Sequence, residues 1–445
     1  MKAYPYWIIG VLLLLSAITV SGGDHEQSTR IEPGPADFIV ENLSDPGLRD
    51  LLTEVLERNP GIAELNARMA AAGSRSTAVR KLPDPTAEVT AFVLPPETRV
   101  GPQRFAARLN QRLPGGGKRG ISEKAADLER QALAAEIQVL RLQLVSEARR
   151  LVAELGYLDE ARRVISHDRT TLEHYEELAR ARYASGVGLQ MDAIQLQAEM
   201  SRLETRQTEI AGRRAGVVAE INHLRDRPGA PVEIEMPAAS QAVDLDWNEL
   251  HRLALVSRPE LAVDQARIER SAVLTDLAGK DRSPDFSVGL SYAYVDRRTD
   301  VDVPQNGQDV LGISGGITIP LWKTGNDAKV EAAAQMQLAE RASRRSTITS
   351  IQRQLEDLRG RIPEIARRLA LLEDVLPIQS EQALASAESA YAAGRVDALA
   401  LLDAERLLLD VRLTAARSRS DLAIALIDLE GAVAAPLVPT PGGER

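Results

Sequence analysis

The chain contains no cysteine, which excludes disulfide staples, thiol nucleophiles and thiolate metal sites. Aromatic residues are scarce as well, at 3% of 445 residues, although hydrophobic residues reach 44%. A core built from Ala, Leu and Val favours long helices packed by small and aliphatic side chains over a globule centred on aromatic rings. No basic patch with interleaved aromatics is present and the formal net charge is −10, so no nucleic-acid partner is expected. The five histidines (His25, His167, His174, His223 and His251) form no His-Glu-x-x-His pattern. His167 and His174 can share a helix face, but without Asp or Cys support they read as solvated helical residues rather than a metal site. The six methionines are scattered and form no copper ladder. In "GGGKRG", Arg119 stands where a phosphate-cradling P-loop needs Ser or Thr. No nucleophile, base or cofactor constellation emerges, and the reading is of a protein that is neither an enzyme nor a cofactor carrier.

Long apolar runs are missing too, with one exception. "MKAYPYWIIGVLLLLSAITVSGG" has an early Lys, an apolar stretch and small residues at its end. It reads as a secretory signal peptide over 1–23, the alternative being an uncleaved membrane anchor. A lipoprotein anchor would need a cysteine after the run. No other stretch approaches the length of a spanning helix.

What is present is a pattern used twice. After an extension over 24–46, the first repeat is expected over 47–227: helices ending at "LPDP", strands over 86–94 and 103–113, then "PGGGKRG" and a proline-free helical run from about 121 to 183. That run would span roughly 95 Å. It breaks at "YASGVG", a turn over 183–188, and a second helix follows to about 225. Across a proline-containing linker at 228–245, residues 246–433 repeat the order. Strands are expected over 285–295 and 309–319, a long helix from about 327 to 391, and a turn at "YAAGRV" over 391–396; the tail is 434–445. Pro60 and Pro259 lie 199 apart, Pro114 and Pro320 lie 206 apart, and Tyr183 and Tyr391 lie 208 apart. A nearly constant offset that grows by small insertions marks an internal duplication.

The strands carry a second signal. "SVGLSYAYV" puts Val288, Leu290, Tyr292 and Tyr294 on one face, with Ser287, Gly289, Ser291 and Ala293 on the other. "GISGGITIPL" does the same with Ile313, Ile317 and Ile319. Such alternation fits outer-membrane strands, with Tyr292, Tyr294 and Trp322 in aromatic girdles, and equally fits soluble amphipathic hairpins. Four strands cannot close a barrel alone, whereas three copies would supply twelve.

With "NPGI" and its repeat "RPEL", "LPDP", "ETRVGPQR", "GGGKRG", "IPLW" and the two Tyr-x-x-Gly turns, in that order, the chain resembles the TolC-like outer-membrane efflux proteins. "LPDP" and "GGGKRG" are most similar to the heavy-metal and cation branch. The resemblance implies a mostly α fold with membrane β: a trimeric tube with a long periplasmic α-helical barrel and a 12-stranded outer-membrane β-barrel embedded in lipid. It implies a passive exit duct for metal cations or small toxic compounds, docked on a periplasmic adaptor protein and an inner-membrane pump. By position, it places Tyr183, Gly186, Gly188, Tyr391 and Gly394 at the adaptor-contacting tip and Asp192, Arg395 and Asp403 at a periplasmic gate. The chain departs from the family's gate pattern at Val396 and Ala400. A periplasmic coiled-coil adaptor, or a type I protein secretion duct, are the alternative readings.

Overall fold

Proline decides where the first helices begin. The computed structural model describes residues 33–234, 246–301 and 303–437; the signal segment, residues 235–245 of the linker and residues 438–445 of the tail lie outside them. Nearly all the described residues fall in one unit, Gly34–Arg445. There α1 (Pro35–Glu41), α2 (Pro46–Arg58) and α3 (Pro60–Arg80) each open on a proline. Its missing N–H costs nothing at the first helical position, and its fixed φ suits the helix. Asp45 caps α2, accepting from the amides of Gly47 (2.8 Å) and Leu48 (3.3 Å). The extension over 24–46 is therefore more than a polar lead-in: α1 buries Ala36, Ile39 and Val40 and pairs Asp37 with Arg141.

The strands are β1 (Thr86–Ala91), β2 (Glu97–Thr98), β3 (Gly101–Leu113), β4 (Asp285–Val295) and β5 (Val310–Thr318). β1 ends before residue 94 because Pro95 and Pro96 have no N–H for a ladder. Phe92 makes the last bond, donating to the Arg104 carbonyl at 3.0 Å. The long strands pair antiparallel in the order β1–β3–β4–β5, and β2 clips onto β3. The β3–β4 seam thus joins strands from the two halves of the sequence.

Register sorts the sheet into two chemical faces. Val89, Ala107, Tyr292 and Leu311 form one row, and Ala87, Leu109, Leu290 and Ile313 another on the same face. On the opposite face Glu88, Arg108, Ser291 and Gly312 align, as do Thr86, Asn110, Gly289 and Ser314. The apolar face is exposed, Ile313 to 84%.

The helices that follow are α4 (Lys118–Ala184), α5 (Gln190–Leu224), α6 (Trp247–Ser257), α7 (Pro259–Lys280), α8 (Lys323–Ala370), α9 (Leu376–Ala392) and α10 (Ala398–Val433). With 67 residues, α4 runs roughly 100 Å. It packs on α3, α5, α7 and α10. The pattern over 327–391 reads as one helix, yet a π-turn at Leu371–Val375 separates α8 from α9. Pro377 is the physical reason: it offers no N–H to the carbonyl one turn earlier.

Equivalent loops tie each half to its own last helix. The Asn59 amide donates to the Leu224 carbonyl at the end of α5 (2.9 Å). Arg258, its counterpart, donates to the Gly431 and Ala432 carbonyls at the end of α10 (3.1 and 3.2 Å). "GGGKRG" has a similar clasping role. Gly116 and Gly117 adopt left-handed φ of +65° and +75°, and a Cβ on Gly115 would lie 2.0 Å from the Pro284 carbonyl. The turn is then fixed by Asp285, which accepts from Arg112 (2.8 Å), the Gly115 amide (3.0 Å) and Lys118 (2.9 Å). Replacing Asp285 by Ala leaves three donors without their acceptor. The expected loss is about 1–3 kcal/mol, read as a lower denaturation midpoint in detergent; an unchanged midpoint would remove this cluster from the account of the junction.

Candidate functional site: paired helical turns and an apolar strand face

The two six-residue stretches "YASGVG" and "YAAGRV" close in the same way. After α4, the Gly186 amide donates to the Tyr183 carbonyl (3.0 Å) and Val187 to that of Arg182 (3.1 Å). After α9, Gly394 donates to Tyr391 (2.9 Å) and Arg395 to Ala390 (2.9 Å). Both are Schellman motifs, which satisfy carbonyls that a helix end leaves unpaired and need a left-handed residue just past the cap. Gly186 and Gly394 supply it at φ +79° and +70°. Gly188 serves differently: a Cβ there would lie 2.9 Å from that of Arg182.

Identical turns present different side chains. Tyr183 is 52% exposed, whereas Tyr391 is 1% exposed. Tyr391 is covered by Arg182, whose guanidinium lies 4.6 Å from the ring centroid and also donates to the Tyr391 carbonyl. Burial, and then the Asp192 carboxylate beside it, push the Tyr391 phenol above its ordinary pKa. Arg182 was not singled out by the sequence; its signal is that Ala390 holds the equivalent place in the second half.

The turns enclose a cleft of about 470 Å³ lined by Arg182, Gly188, Asp192, Gly394, Arg395 and Asp397 among others. Four of the residues assigned by resemblance to tip and gate thus line it: Gly188, Gly394, Asp192, which is buried, and Arg395, which is exposed. Asp403 is not in this cleft. It lies exposed one turn along α10, where Arg406 reaches it at 3.4 Å. The same Arg406 pairs with Glu199 of α5. Although burial opposes it, Arg406 and Arg202 hold the Glu199 carboxyl below its usual range.

At the other end of the unit, Tyr292 and Tyr294 stand on the apolar sheet face near the end of β4. Trp322 is exposed beyond the opposite end of the sheet, past the Asp285–Thr318 pair. The ten residues from Asp285 to Tyr294 span about 30 Å, so the aromatic residues bracket the strands at two levels. No helix among the described residues is long and apolar enough to cross a membrane, nor does a cluster of His, Asp or Glu among them suit a metal ion.

Replacing Arg182 by Met removes the cation–π contact, worth about 0.5–1 kcal/mol. Amide exchange at Gly394 and Arg395 is then expected to quicken several-fold. Gly394→Val adds about 1–2 kcal/mol of left-handed strain and is expected to open the same turn to proteolysis. Unaltered exchange in the Arg182 variant would dismiss it as the clamp.

Residues 250–435 match the model of the outer membrane efflux protein family. No curated protein matches the chain. Its fold is similar to that of VceC, an outer membrane protein of Vibrio cholerae, with a TM-score of 0.75 at 19% identity, covering 91% of this chain and 99% of that one. CusC superposes with a TM-score of 0.75 at 15% identity, over 92% and 96% of the two chains. The MtrE outer membrane channel of Neisseria gonorrhoeae, in its open state, gives 0.70 at 19% identity over 88% and 89%. Residues 250–435 are therefore similar to the outer membrane efflux protein family, and the chain over nearly its full length has the fold of the TolC-like outer-membrane channels.

Proposed function

We propose that the protein is the outer-membrane exit duct of a tripartite efflux system. The observation that carries this reading is the sheet. It has four long strands, unpaired edges at β1 and β5, and an exposed apolar face bracketed by aromatic residues. In water an exposed apolar face and two open edges are an aggregation hazard; in lipid the face is solvated and the edges must pair. Three copies joining β1 to β5 make a closed 12-stranded barrel. The polar face with Glu88, Arg108 and Asn110 then lines an aqueous lumen.

The helices agree with this arrangement. α4 is far longer than the span of the sheet, and α8, the π-turn and α9 leave Met336, Leu338, Leu371, Val375 and Ile378 exposed. Those positions are covered when copies stand side by side, giving a helical tunnel that reaches through the periplasm. Its far end carries the two Schellman turns, which present Tyr183, Gly186 and Gly188 to a periplasmic adaptor and hold Tyr391 and Asp192 at the narrow end, with Asp403 further inside. An inner-membrane pump supplies the energy and the choice of cargo, and the duct conducts passively. Metal cations or small toxic compounds are the cargo proposed, on the resemblance of "LPDP" and "GGGKRG". A periplasmic adaptor would have no use for the exposed sheet face.

Fractionation followed by unheated and heated gel electrophoresis tests this. A trimer-sized, heat-dissociable band in the outer membrane is expected, and a soluble periplasmic monomer would overturn the reading. In a planar bilayer, Asp403→Ala is expected to alter single-channel conductance or its block by divalent cations. Identical recordings would return Asp403 to plain solvated surface.

A further inference from the structure

Two carboxyl groups lie inside the helical hairpins, where the duct reading gives them no task. Asp168 of α4 and Glu405 of α10 are 5% and 4% exposed. Ile165 and Leu172, one turn to either side of Asp168, and Leu401, Leu402 and Leu409 around Glu405 belong to the buried apolar cluster of these helices. The two side chains bond to each other. A carboxylate is an acceptor only, so that bond exists only while one of the pair carries a proton.

The surroundings supply no substitute for the proton. On α4, His167 acts weakly on Asp168, and the Tyr175 hydroxyl is committed to Glu388 of α9. On α5, Glu199 faces the pair but is itself bound by Arg202 and Arg406. On α10, Arg412 is the cation acting on both carboxyls, yet it reaches across to Glu381 of α9 at 3.3 Å. No Arg or Lys among the described residues pairs directly with either group, and Glu405 Oε2 has no partner. Burial pushes both carboxyls up; the Asp168 neighbour adds to this at Glu405, which rises to about 8.

We propose that Asp168 and Glu405 form a proton-held clasp between α4 and α10, closed while the pair shares a proton and open once both groups ionise. The direction follows from linkage. A carboxyl raised in the folded state contributes stability that is complete below its unfolded pKa and is lost as pH rises through its folded one. The window is therefore from about 4.5 to about 8. Above it two like charges stand in an apolar interior, and the cheapest relief is separation of the helices. Both residues sit toward the turn ends of their helices, so separation loosens the part of the hairpins that carries Tyr391 and Arg182. Only this last consequence rests on the duct reading.

Hydrogen exchange of the full-length protein in detergent tests the clasp, with rates corrected for the intrinsic effect of pH. In the unmodified protein, protection of peptides covering 160–175 and 400–412 is expected to fall by up to about tenfold per pH unit as pH rises toward about 8, and to level off above it. E405Q keeps the shape and removes the charge, so its protection is expected to stay level from pH 6 to pH 9. D168N, an independent neutralisation, is expected to do the same. Level protection in the unmodified protein, or an equal fall in both variants, would overturn the proposal. Heat-dissociable trimers, scored on the same samples, report separately on the duct reading.

Discussion

Backbone hydrogen bonding at the two open edges of the sheet is the constraint on which the rest depends. Among the described residues β1 and β5 each pair on one side only, with two further long strands between them. A sheet of this width can neither curl into a barrel nor leave its edges bare in hydrocarbon. The duplication eases the problem in part, because β3 of the first half pairs with β4 of the second from Phe105 to Leu113. What remains unsatisfied is one edge at each end. On the proposed reading copies of the chain supply those partners, and oligomerisation then follows from strand count rather than from any one contact.

The same economy governs how the halves are held together. Asp285 at the start of β4 gathers Arg112, the Gly115 amide and Lys118 from the other half, locking strand to helix across the duplication. Asn59 and Arg258 occupy equivalent positions and perform equivalent work with different chemistry, one through an amide and the other through a guanidinium. Duplicated backbone geometry therefore persists where the side chains have diverged. The turns show this most clearly. Their Schellman bonds superimpose residue for residue, yet Arg182 and Tyr391 make one turn a clamp while Tyr183 leaves the other open.

Polar groups inside the helical part have a structural cost that packing alone does not explain. The Asp168–Glu405 pair sits inside the buried apolar cluster that α4 and α10 share toward their turn ends. A Leu pair would pack better there. A buried carboxyl pair instead makes the seam sensitive to proton activity. The π-turn before α9 adds a second irregularity to the same hairpin, and α9 buries only Ser380 and Tyr391 between the two features. Apolar cover at the turn end of this hairpin comes chiefly from α10, through Ala398, Leu401, Leu402 and Leu409.

The sequence by itself determined the elements. Alternation fixed the strands and their two faces, since side chains in an extended chain point alternately to either side. Proline and glycine fixed the helix starts and turns, because φ is locked in one and free in the other. The repeated order in the two halves was legible from the offsets between prolines and tyrosines. Only the tertiary structure decided what those elements touch. That Tyr391 is buried and Tyr183 is not, that Arg182 spans the two turns, and that Asp168 meets Glu405 depend on contacts between residues more than two hundred positions apart. Local propensity carries no information about such partners, because a charged side chain on a helix reads alike whether it meets water or another chain segment. The π-turn lay between these cases. Pro377 was visible, but whether it would end the helix or merely widen one turn depended on the packing of the neighbouring helices around it.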